Sequence, residues 1–131
     1  MKQTTAEWVA KAEEDFEAAQ QLFGSSNPLF SVACFHAQQS AEKYLKSYLQ
    51  EHEIRIPFTH DLDALAATVE RYVPELAGMR EAFERLTTYA VDIRYPGAAA
   101  NQEEAEIAIE IAATLRRVLR DALGLESGAI S

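Results

Sequence analysis

With 131 residues, 48% of them hydrophobic, the chain is long enough for one packed domain and too apolar for a disordered tail. Twelve Lys and Arg against 21 Asp and Glu give a formal charge of −9, which disfavours sequence-blind binding to duplex nucleic acid but leaves room for a local basic pocket. No apolar run reaches the ~20 residues of a membrane span, the first residues hold no signal-peptide core, and a single cysteine, Cys34, cannot form a disulfide within the chain, so a cytoplasmic protein is expected.

Five segments read as helices and none as a strand. The first is expected to open at Thr4, with Glu7 completing a capping box, and to carry Trp8, Ala12, Phe16, Ala19 and Phe23 inward before Gly24 stops it. Asn27-Pro28 suits the start of a second, longest helix from about Leu29 to about Gln50. Thr59 or Asp61 can cap a short third helix through Leu62, Leu65, Val69 and Tyr72, which Pro74 ends. A fourth spans roughly Leu76 to Ile93 and is broken by Arg94-Tyr95-Pro96-Gly97. Asn101 and Glu104 form a second capping signature, opening a fifth helix that lasts to Leu123. The expectation is an all-α, up-and-down bundle of four main helices and one short one, occupying residues 1–124, with a frayed tail at 125–131. Helix five has an apolar stripe of Ile107, Ile111, Leu115 and Val118, with Ile109, Leu119 and Leu123 on its flank. That surplus suggests a homodimer, or a thick core.

Helix two has two unlike sides. At about 100° per residue, Phe30, Cys34, Ala37, Ala41, Tyr44, Leu45 and Tyr48 share one of them. His36, Gln39, Lys43, Lys46 and Gln50 lie roughly opposite, as either a solvated face or a site for a phosphate, a nucleotide or an acidic partner surface. Asp15 falls within the apolar arc of helix one, where a carboxylate needs a cation, so it is expected to be largely buried and paired, with Lys43 ahead of Arg94 as its partner. Arg94 follows Ile93 beside Phe83, placed to grip a carboxylate or phosphate or to complement the helix dipole. His60 either joins a site or fastens the loop before helix three. No zinc, Cys-x-x-Cys, nucleophile-elbow or phosphate-loop motif occurs, and His36, His52 and His60 are dispersed, so no metal or cofactor is expected. Cys34 reads as an inert core residue.

Three runs taken together, residues 35–49 (Phe-His-Ala-Gln-Gln-Ser-Ala-Glu-Lys-Tyr-Leu-Lys-Ser-Tyr-Leu), Thr59-His60-Asp61-Leu62 and Arg94-Tyr95-Pro96-Gly97, resemble the HEPN domain family; Trp8 and Asp15 fit as well. The resemblance covers the chain to about Leu123. It implies a helical bundle, usually homodimeric, of the kind encoded beside a minimal nucleotidyltransferase in toxin–antitoxin-like pairs. It further implies nucleotide binding; joined to the polar stripe read above, it makes His36, Gln39, Lys43, Lys46 and Arg94 the expected contacts to the ligand or partner, with Asp15, His60, Asp61 and Tyr95 in support. Many family members are metal-independent ribonucleases carrying an Arg followed four to six residues later by His. Arg94 matches that arginine, but residues 95–101 contain no histidine. A ribonuclease acting on RNA through Arg94 and a divergent site therefore ranks below a binding role, because arginine does not titrate near neutrality.

Overall fold

The chain reverses after Gly24, and the two helices on either side of that turn organise everything else. The computed structural model describes residues 1–91 and 96–126. Helices α1 (Gln3–Gly24) and α2 (Phe30–Glu51) run antiparallel along their full lengths. The pairs that join them show it: Lys2 meets Glu51, Trp8 meets Lys46, Asp15 meets Lys43, and the Leu29 N–H donates to the Leu22 carbonyl. After α3 (Leu62–Glu70) and a 3-10 helix (Pro74–Met79), α4 (Arg80–Val91) runs back past α2, and α5 (Gln102–Ala122) runs alongside it. Directions alternate along α1, α2, α4 and α5, so the bundle is up-and-down as expected. Helices α1, α3, α4 and α5 all meet α2, which sits at the centre.

That central position explains the composition of α2. Ala33, Ala37, Ser40, Ala41 and Ser47 are buried, and their small side chains let neighbouring helices approach closely on more than one side. Around them Phe16, Leu45, Leu49, Leu65, Phe83, Leu86, Leu115 and Leu119 form one continuous core. Burying a side chain of this size contributes about 1.5–3 kcal/mol each.

Several local expectations need correction. The helix at the N-terminus opens at Gln3 with Lys2 at its cap, and no Thr4 capping bond forms. Lys2 is instead anchored to the end of α2, its N–H donating to Glu51 and its ammonium 2.9 Å from Glu53, which extends the first turn. Helix α2 is preceded by Leu29 without a side-chain cap, and the Asn27 N–H bonds to Ser25, so Asn27-Pro28 belongs to the turn. Residues 76–79 are 3-10 rather than α: Pro74 starts the helix, and Gly78 weakens it before α4. Tyr72 lies beyond the end of α3 and is 54% exposed. In α5, Leu119 is core rather than flank, and the inner face adds Ala105, Ala108 and Ala112, whereas Ile107 and Val118 are only half-buried.

Of the two N-cap candidates before α3, Asp61 is the one used: it accepts from the Asp63 N–H at 3.0 Å, and Thr59 accepts from the Asp61 N–H. The Asn101/Glu104 capping box of α5 forms in both directions. Asn101→Ala is expected to lower the unfolding free energy by about 1 kcal/mol, measured by urea titration at neutral pH. Gly97 and Gly124 take positive φ at 85° and 74°, a conformation that favours glycine. Beyond Gly124, Leu125 packs on the core and the Glu126 carbonyl accepts from Arg120, while residues 127–131 lie outside the described residues.

Candidate functional site

Because α2 is surrounded, its polar residues cannot form an open solvated face, and the structure sorts them into two carboxylate-centred clusters. At the first, Asp15 reaches across from α1. Its side chain is 12% exposed, ion-paired to Lys43 through one oxygen and 2.8 Å from His36 Nδ1 through the other. Asp15 is thus largely buried and paired with Lys43, as its place within an apolar arc required. A carboxylate can only accept here, so His36 donates through Nδ1 and leaves Nε2 as the second functional atom of the ring.

The second cluster is built around a residue that the periodicity did not single out. Glu42 is buried, its side chain 4% exposed, and Lys46 lies 3.0 Å away one turn further along α2. His60, from the loop before α3, brings Nδ1 to 3.1 Å from the same carboxylate oxygen. Gln38 Nε2 donates to the other oxygen at 3.5 Å, and the Gln38 carbonyl accepts from Gln39 at 2.9 Å. A relay of amides therefore ends on one buried carboxylate, with an ammonium and an imidazole on its far side. The Lys46 ammonium also lies 5.5 Å from the centre of the Trp8 ring, an arrangement that favours the cation.

Two clefts meet at His60, and Glu42 lines the first of them. One, of about 440 Å³, is walled by Phe35, Gln38, Gln39 and Glu42 of α2, by Thr87, Ala90 and Val91 of α4, and by His60. The other, of about 320 Å³, lies between Trp8, Lys46 and the loop residues Ile56–His60. Both fall within the ordinary volume range of small-molecule sites, and an apolar wall with a few converging polar groups is their usual make-up. The first offers an aromatic face in Phe35 and donors and acceptors in the two amides and the carboxylate. Such a set can hold a flat, hydrogen-bonding heterocycle.

A third polar cluster ties α1, α2 and α5 together. Glu13 accepts from Arg116 Nε and Nη2, each at 2.7 Å, and from the buried Tyr44 hydroxyl, with Arg120 Nη1 at 3.5 Å. Burial alone would raise the Glu13 carboxyl; the hydrogen bonds from Arg116 and Tyr44 and the charges of both arginines outweigh it, and the net direction is down. Tyr44 is pushed up, first by burial and then by donating to Glu13. This cluster lines neither cleft and serves packing.

Among the expected site residues, Gln39 and His60 meet at the larger cleft, Lys46 and His60 at the smaller, and His36 and Lys43 sit apart from both on Asp15. Asp61 caps α3 and does not line either cleft. Arg94 and Tyr95 lie outside the described residues. The stripe is therefore divided, and its lysines already face carboxylates of their own chain. Gln38 and Glu42 were missed as cleft-lining groups, although their spacing of four with Lys46 places all three along one side of α2.

The sequence profile of the HEPN domain matches residues 5–122. TT1696 from Thermus thermophilus, known from a crystal structure, superposes with a TM-score of 0.76 at 23% identity, covering 89% of this chain and 96% of that one, which speaks to the shared fold. No curated protein matches significantly.

Proposed function

This chain belongs to the HEPN domain family, and from that premise we propose that it is a homodimeric cytoplasmic binding protein that takes a nucleotide in the cleft between α2 and α4, in the service of a nucleotidyltransferase partner. One observation carries the reading: Gln39, Gln38, Glu42 and His60 form a connected hydrogen-bonded set along a cleft of about 440 Å³ that also presents Phe35. A base stacked on Phe35 would exchange hydrogen bonds with the amides and with Glu42. Its phosphate end would then extend toward His60 and Lys46, where the second cleft begins.

The ribonuclease alternative has less behind it. His36 and His60 are committed to different carboxylates on different sides of α2, so they do not form an acid–base pair within one chain. RNA incubated with the protein in the absence of metal is expected to stay intact.

Calorimetric titration with ATP and AMP tests the binding. Saturable binding is expected, with Gln39→Ala weakening it by up to about tenfold, the worth of one good hydrogen bond, at an unchanged thermal midpoint. No heat of binding for either nucleotide up to millimolar concentration would overturn the proposal.

A further inference from the structure

We propose that the outer face of the N-terminal half of α5 is a docking surface for a basic amphipathic helix of another protein. Glu103, Glu106 and Glu110 are exposed at spacings of three and four, so they form a crest along one side of the helix. A groove lies on each flank of that crest, of mixed lining on the α4 side and mainly apolar on the α1 side. One, of about 500 Å³, has Met79 and Ala82 on one wall and Ile107 and Ile111 on the other. The second, of about 330 Å³, runs between Phe23 of α1 and Ile109 of α5. Glu110 lines both, joined by Glu81 at the first and Glu106 at the second.

These carboxylates differ from the others described above. Asp15, Glu42 and Glu13 each face a cation of their own chain, whereas Glu81, Glu106 and Glu110 take part in no ion pair among the described residues. Arg85 is the one cation among the described residues lining either groove. Half-buried isoleucines beside carboxylates that have no ion-pair partner among the described residues call for an occupant with apolar side chains three and four residues apart and Lys or Arg between them. A second copy of this chain is a poor occupant. A two-fold contact centred on α5 would bring one crest of glutamates against another, and like charges in an interface are penalised by several kcal/mol. The same field turns away nucleic acid and anionic lipid. Leu119 belongs to the chain's own core and Val118 and Leu123 pack against it, so what α5 leaves for a partner is the half-buried pair Ile107 and Ile109 beside the crest.

Fluorescence anisotropy with a labelled leucine–lysine peptide of about 18 residues, long enough to follow α5 for its length, tests this directly. The full chain is expected to bind the amphipathic peptide saturably and at least about tenfold more tightly than a peptide of equal composition with its leucines spread around the helix. That affinity should fall as sodium chloride is raised. Glu106→Gln with Glu110→Gln, both exposed positions, should weaken it about tenfold while the circular dichroism melt stays in place. Equal affinity for the two peptides, or indifference to the double substitution, would overturn the proposal. So would sedimentation showing that Glu106→Lys with Glu110→Lys alters the oligomeric state, since the face would then belong to a second copy.

Discussion

Glu13→Ala is expected to lower the unfolding free energy by about 3 kcal/mol at pH 7, a cost typical of removing one partner from a buried ion pair. The magnitude follows from what the carboxylate serves. Arg116 has a side chain only 8% exposed, and two of its nitrogens donate to Glu13 at 2.7 Å. Tyr44, fully buried, donates its hydroxyl to the same group. Truncation removes the acceptor for all three bonds and leaves a guanidinium in a poorly solvated position without this anion. Urea titration of wild type and variant measures the difference, and a change below about 1 kcal/mol would place the pair among the weak surface bridges.

The pH dependence of that difference has a definite sign. The folded-state pKa of Glu13 is depressed below its ordinary 4.5, the bonds from Arg116 and Tyr44 overcoming the opposing effect of burial. A depressed carboxylate contributes stability above its unfolded pKa and loses it as the pH falls through the folded one. Wild type and Glu13→Ala should therefore stay furthest apart from pH 7 down to about 5, then converge as the pH drops below the ordinary carboxylate value. Widening of the gap in acid would contradict the assignment.

How far these features could be read in advance depended on whether a signal was local. The capping box at Asn101 and Glu104 involves four consecutive residues, and it formed as written. Thr4 and Glu7 present an equally good local pattern, yet the helix opens earlier because Glu51 and Glu53, distant in sequence, hold Lys2. The need of Asp15 for a cation was legible because a carboxylate within an apolar arc demands one, whereas the choice of Lys43 over Arg94 came from the helix pairing. Glu42 was not, since a glutamate followed by lysines one and four residues on looks solvated until α4 packs beside it. Helical periodicity assigns one buried side per helix, whereas α2 is enclosed by neighbours on several. The division of its polar stripe into an Asp15 half and a Glu42 half follows from that enclosure.

Glu42 provides the sharpest separation of structural from ligand-binding roles. Glu42→Ala is expected to cost about 3 kcal/mol of stability, because Lys46, with its side chain 12% exposed, loses its carboxylate in a largely buried position. Nucleotide affinity should fall with it, but that loss alone is ambiguous, since a weakened helix packing would distort the cleft in any case. Replacing both members, Glu42→Leu with Lys46→Met, removes the unpaired charge as well as the pair, and substitutions of this kind are often neutral or stabilising. The double variant should therefore recover most of the stability lost in Glu42→Ala. If Glu42 hydrogen-bonds a base in the α2–α4 cleft, calorimetry with adenosine, which offers Lys46 no phosphate, should still show the well-folded double variant binding at least about tenfold more weakly than wild type, as expected when a buried polar partner is removed. Recovery of stability together with full adenosine affinity would confine Glu42 to a packing role and leave the cleft without its central acceptor.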